Sequence, residues 1–269
     1  MTKTLLILFG LVVMPAMADV CTDAPNVAEV YPRADALPEN LLRLYVYFDQ
    51  PMDRKNALAA IRLLDESDAL VEGAFLTNKV DLWSPDSRRL TVLFDPGRVK
   101  TGLRAHHTMG RALQSGSRYT LVIESSLMST AGCSLAAEHR KPFRVTEANY
   151  DAPDPERWRV RAPQAHSTDW VSVLLNGPHD HVSLAYRVRV VDANGAIVPG
   201  RIDLGAADAE WRFQPAEPWK EGTYRITVDP TLEDVAGNRL TGSFERPLSD
   251  GNASTVSIKF KTVNKDIPS

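Results

Sequence analysis

The run Arg43-Leu44-Tyr45-Val46-Tyr47-Phe48-Asp49-Gln50-Pro51-Met52-Asp53 decides the fold. Leu44, Val46 and Phe48 alternate with Arg43, Tyr45 and Tyr47, and a period of two marks a strand with one buried face. Its closing Pro51 and Asp53 return 127 positions later as Pro178 and Asp180. At the same offset Arg62, Asp65, Ala69, Val71 and Gly73 return as Arg189, Asp192, Ala196, Val198 and Gly200. The offset then falls to 119 for Phe94 and Pro96 (Phe213, Pro215) and to 105 for Tyr119, Ala131, Gly132 and Leu135 (Tyr224, Ala236, Gly237, Leu240). Deletions between matched segments are how two copies of one fold diverge, because loops absorb length changes that strands do not.

The matched segments read as strands. Val171, Val173 and Leu175 align with Leu44, Val46 and Phe48; Leu90, Val92 and Phe94 repeat the alternation, as do Tyr119, Leu121 and Ile123 with Tyr224, Ile226 and Val228. Asn194-Gly195 inside Asp192–Ala196 predicts a hairpin, since a tight turn matching strand twist needs positive φ. Helical periodicity is scarce, with a turn or two expected only between Asp53 and Leu64. The expectation is an all-β chain of two tandem Greek-key β-sandwiches, with a leader at 1–18, a first domain at 19–148 and a second at 149–269. Tyr150-Asp151-Ala152-Pro153-Asp154-Pro155 reads as a stiff polar linker with few contacts across it, so the second domain is expected to fold by itself.

Lys3, the apolar run Leu5 to Val13 and Ala16-Met17-Ala18 form a signal-peptide pattern, which predicts export to the periplasm or beyond. No later stretch is long and apolar enough to span a bilayer, so no membrane span is expected after cleavage. Cys21 and Cys133 are the two cysteines, and in an oxidising compartment they predict one disulfide. A formal charge of -3 with 43% hydrophobic residues suits a globular chain and gives no field for holding nucleic acid.

Phe48 to Asp53, then Val71-Glu72-Gly73, then Gly116-Ser117-Arg118-Tyr119-Thr120-Leu121, resemble the bacterial Ig-like domain of surface-layer and other exported proteins. Gly222-Thr223-Tyr224-Arg225-Ile226 and Glu233-Asp234-Val235-Ala236-Gly237-Asn238 are similar in the second copy. The resemblance implies the sandwich fold and no shared catalytic site. The first copy departs at Ser129-Thr130-Ala131-Gly132-Cys133, where the disulfide is expected to fix the turn instead. A more distant resemblance is to periplasmic copper-binding sandwich proteins, which implies histidine ligands near the mature N-terminus; this chain has Asp19-Val20-Cys21 there.

Candidate sites are few. His179-Asp180-His181 would, if extended, point both imidazoles to one side with Asp180 orienting one, a metal-binding arrangement set against a solvated turn after Pro178. His106-His107 falls in the long insertion Lys100 to Gln114. Trp83 and Trp219, each beside a proline-containing loop, are the tryptophans expected to reach a ligand such as a glycan, whereas Trp211 reads as core. Acidic pairs such as Asp53 with Asp65 are set against calcium binding. Hydrolase, zincin and phosphate-loop motifs are absent from the sequence, and no cofactor is expected. The function expected is a non-enzymatic interaction or spacer protein meeting an envelope or surface protein or a glycan; the alternatives are a periplasmic copper carrier and a carbohydrate-binding module.

Overall fold

The computed structural model describes residues 21, 23–77, 82–100, 108–244 and 254–264. The leader and His106-His107 lie outside the described residues. In the first half the strands are β1 (Val27–Tyr31), β2 (Ala36–Pro38), β3 (Arg43–Phe48), β4 (Ile61–Asp65), β5 (Leu82–Trp83), β6 (Arg89–Leu93), β7 (Arg118–Ile123) and β8 (His139–Thr146), with a short helix α1 (Pro96–Val99). They make two sheets, ordered β1-β3-β6-β5 and β2-β8-β7-β4. Val30, Leu44, Val46, Leu90 and Val92 of one sheet share a core with Leu37, Leu63, Leu121, Ile123 and Phe143 of the other. This is the two-layer burial that alternating strands require.

The second half contributes β9 (Arg159–Arg161), β10 (Val171–Leu174), helix α2 (His181–Arg187), β11 (Val188–Val191), β12 (Gly200–Leu204), β13 (Glu210–Pro215), β14 (Gly222–Val228) and β15 (Val256–Thr262). Its sheets run β9-β10-β13-β12 and β11-β14-β15. Strand for strand this is the order of the first half, and even the parallel pairing of Leu37 with Val145 recurs as a bridge from Gln164 to Val263. The chain is therefore all-β, two Ig-like sandwiches in succession. Leu63 faces Leu121 as Val190 faces Ile226. Tyr119 and Tyr224 occupy equivalent places: each faces a phenylalanine, Phe143 or Phe260, and each hydroxyl accepts a backbone N–H from upstream, Gln114 or Lys220, at 3.1 Å. Such a tyrosine pins the corner of many sandwiches.

One alignment needs correction. Phe94 bridges Phe75 as Phe213 faces Ile202, so Phe94 and Phe213 are equivalent. Phe94 N–H bonds Leu42 O, whereas Phe213 faces Val171. Val171, Val173 and Leu175 thus stand where Leu42, Leu44 and Val46 stand, two residues from the position the sequence suggests. The first half carries two more residues between this register and Pro51, and an even shift leaves the buried face unchanged.

Turns follow the reading closely. Asp65 Oδ1 accepts the N–H groups of Ser67 and Ala69, and Asp192 Oδ1 those of Asn194 and Ala196, with Gly195 at φ +87°. In the Ser129 turn Ser129 Oγ accepts the Cys133 N–H, doing what Asp234 does for Asn238, and the same turn carries the disulfide at Cys133. Cys21 and Cys133 are bonded, with Cα atoms 5.7 Å apart across a separation of 112 residues. Among the described residues no helix is long and apolar enough to cross a membrane.

Candidate functional site

Because Val30, Leu44, Val46 and Leu90 point inward, Tyr31, Tyr45, Tyr47, Arg43 and Arg89 stand on the outer face of β1-β3-β6. A sheet face exposed to water seldom spends three tyrosines. Here they meet the second sandwich. Asp180 caps α2, its Oδ1 accepting the Ser183 N–H at 2.8 Å, while its Oδ2 accepts the Tyr45 hydroxyl at 2.8 Å and lies 3.4 Å from Arg43 Nε. Arg43 also pairs with Glu233, whose other oxygen takes Arg239 Nε at 2.9 Å. His181 stacks on Tyr31 with ring centroids 3.5 Å apart and meets Tyr47 edge-on at 5.4 Å. Beside it, Arg33 donates from its backbone to Asp208 and from its guanidinium to the carbonyls of Leu204 and Gly205.

The connector is gripped from both sides. Asn149 gives its N–H to Asn40 Oδ1 at 2.9 Å, takes Asn40 Nδ2 on its carbonyl at 2.8 Å, and sends Nδ2 to Asp234 Oδ2 at 2.8 Å. Asn238 Nδ2 reaches the same carbonyl at 2.9 Å. Leu42 N–H bonds Val235 O, and the Val235 side chain belongs to the first core. The expectation of a linker with few contacts across it is overturned: the halves meet through buried hydrogen bonds and a shared apolar residue.

Burial sets the charge states of this joint. It drives the His179 imidazole down to about 4 and, helped by the Arg33 and Arg89 guanidiniums, His181 to about 4. Burial lifts Asp180 and Asp208 above the usual carboxylate range and pushes Asp234 up to about 7 against hydrogen bonds from Asn238 and Ala236. Alongside runs an open cleft of about 450 Å³, lined by Arg43, Tyr45, Asp180, Tyr186, Glu233 and Arg239.

The structure scatters the sequence candidates. His179 and Asp180 are 2% and 3% exposed, so they form no solvated turn. The two imidazoles do not share a side either. Asp180 is a helix cap and His181 the first helical residue, so the backbone turns between them. His179 rests edge-on against Trp158 inside the second sandwich, its Nδ1 on Gly177 O, while His181 faces the first. Among the described residues no group of three His, Cys, Asp or Glu side chains is placed to hold a metal ion. Asp53 and Asp65 each bond their own turns.

Trp219 is 1% exposed, packed on Phe213, Tyr224 and Phe260 with Nε1 donating to Asp169 O, so it is core and offers no ring to a ligand. The proline loop folds over it. Trp83 is half-buried against Phe48. Trp211 is core, as its inward position required. Sequence reading missed Arg33, Asn40, Asn149 and Glu233; the one signal was the tyrosines at nominally solvated strand positions.

No protein-family model matches the chain, and no curated protein matches it. Among solved structures it is similar to a fragment of alpha-2-macroglobulin from Escherichia coli, at 12% identity over 90% of this chain and 72% of that one, with a TM-score of 0.29. It is also similar to domains 1–6 of surface layer protein SbsC, at 11% identity over 90% of this chain and 41% of that one (TM-score 0.32), and to the titin domains z1z2, at 11% over 77% and 90% (TM-score 0.22). The chain's own strand order defines its fold. What that order and the joint define is a pair of Ig-like sandwiches, the outer sheet face of the first docked on the helix end of the second.

Proposed function

We propose that the chain is an exported, non-enzymatic interaction or spacer protein, built by duplication of one bacterial Ig-like domain and working in the periplasm or at the cell surface. The observation that carries this reading is the use made of the reactive side chains. Asp180, His181, Asp208 and Asp234 are groups a catalytic site would draw on, and each is spent in packing or bonding that fixes one sandwich on the other, while His179 is buried against Trp158 inside the second sandwich. A fixed joint suits a part whose task is to hold surfaces at a set distance and angle. The leader pattern and the disulfide support export, and the common strand order supports duplication.

The test is fractionation. Produced from its full reading frame in a Gram-negative host, the protein is expected in the osmotic-shock fraction as a chain beginning at Asp19, with neither cysteine alkylated until reductant is added. A chain retained in the cytoplasm with its leader attached and both thiols free would overturn the reading.

A further inference from the structure

The two sandwiches treat the same sheet face in opposite ways. In the first, the outer face of β1 and β3 meets the second sandwich through Tyr31, Arg43, Tyr45 and Tyr47. In the second, the matching outer face of β9-β10-β13-β12 carries exposed arginines on its two edge strands, with Ser172 buried beneath the side chains around it. Val160, Val171, Val173, Trp211 and Phe213 take the inner side, so their neighbours in sequence take the outer one.

Cross-strand register places Arg161, Ser172, Arg212 and Asp203 in one row across the sheet, and Arg159, Leu174 and Glu210 in a parallel row. In the next row Arg201 faces Gln214, with Arg201 Nε donating to Gln214 Oε1 at 2.7 Å. Trp170 lies beside them, its ring carrying the Arg201 guanidinium at 5.0 Å and that of Arg212 at 5.6 Å. Arg159, Arg161 and Arg201 are exposed, and Arg212 is half-buried with 37% of its side chain exposed. Four arginines thus face two carboxylates, and one of these, Asp203, is paired with Arg212. Strands lie ~4.8 Å apart, so Arg161 on β9 and Arg212 on β13 start ~10 Å apart on one sheet face, and Arg201 and Arg212 share an aromatic ring.

We infer that this face binds an extended anionic polysaccharide, its acid groups meeting Arg159, Arg161, Arg201 and Arg212 and its hydroxyls donating to Glu210 and Gln214. Guanidiniums held by Trp170 lose less freedom on meeting an anion, and they take carboxylate or sulfate through paired N–H donors. The mixed signs decide against nucleic acid. A duplex carries one charge every ~1.7 Å, which would press phosphates onto Asp203 and Glu210, whereas a polymer with sparse charge and many hydroxyls satisfies arginine and carboxylate together. The inference stands on this face alone: failure of binding would leave the spacer reading intact, and mislocalisation would leave the face intact.

The experiment is affinity electrophoresis of the purified, oxidised chain in gels containing polygalacturonate, dextran sulfate or neutral dextran. Retardation by one or both anionic chains is expected, carboxylate or sulfate preference being read from the two gels, with none in neutral dextran. R161Q/R201Q, both exposed and harmless to the core, should raise the apparent Kd at least tenfold. W170A should weaken binding severalfold while its near-UV spectrum stays folded. R62Q, on the first sandwich, should change nothing. Absence of retardation in both anionic gels, equal retardation of R161Q/R201Q, or self-association in sedimentation velocity that R201E abolishes would overturn the inference, the last by assigning the face to a second copy of the chain.

Discussion

His179 and Asp234 pull the pH dependence of stability in opposite directions. The folded chain holds His179 near 4 by burial, below the 6.5 of a free imidazole, so unfolding takes up a proton between those values. Stability is whole above pH 6.5 and falls as pH drops through 4, by up to ~3 kcal/mol for a fully buried ring. His181 acts in the same sense. Asp234, held near 7 against 3.8 when free, releases a proton on unfolding in the same window, so its contribution is whole below 3.8 and falls as pH rises through 7. These contributions oppose one another between pH 4 and 7, so urea midpoints should vary less with pH in the parent chain than in variants that lack one of the groups. H179Q should leave a midpoint that declines with rising pH, and D234N one that declines with falling pH. Parallel profiles for all three proteins would refute this assignment. None of this was legible in the sequence, where Asp180 and Asp234 read as turn residues; that role is real, but burial comes from the other half of the chain.

At the scale of elements, matching residues do not imply matching reasons. Gly73 and Gly200 share an offset with their neighbours, yet Gly73 sits at φ +59° in a turn, whereas Gly200 begins an extended strand. A Cβ on Gly200 would run into Gln214 O and the Phe213 ring. One position needs a left-handed backbone, the other an absent side chain. G73A should cost about 1–2 kcal/mol and G73N much less, since asparagine tolerates that conformation. G200A and G200N should both cost about 1–3 kcal/mol or more, from overpacking. Urea denaturation of the four variants checks it, and recovery in G200N would be contrary to the account. Strands and turns were readable because alternation and Asx or Asn-Gly chemistry are local. The two-residue slip of β10 was not, since register depends on hydrogen bonds to β13 and an even slip keeps every apolar residue inward. Helix α2 was missed because its seven residues carry too little periodicity to outweigh the flanking strands.

For the whole molecule, the joint couples what sequence reading kept apart. Val235 of the second half fills the first core, and Asn40, of which 2% is exposed, has its side-chain bonds to the connector. The intact oxidised chain should unfold in urea as one transition, with Trp83 and the four tryptophans of the second half reporting the same midpoint. N40A, which strands the Asn149 N–H, should lower stability by about 1–3 kcal/mol and separate the two reports. Two midpoints in the parent chain would restore independent halves. The two-sandwich plan was legible from internal similarity; the docking was not, because Tyr31, Tyr45 and Tyr47 find their partners more than a hundred residues away.

The grip on Asn149 also bears on resistance to proteolysis. Proteases nick multidomain proteins where a connector can be drawn out and laid along an active site, and an exposed, proline-flanked segment between two sandwiches is the ordinary place. Here the backbone N–H and carbonyl of Asn149 are bonded to Asn40 and Asn238, Tyr150 OH accepts from Arg111, and Pro153 is buried. Cleavage would first require the joint to open, so the lifetime of the molecule under proteolysis is set by the opening of that joint rather than by the sequence of the segment itself.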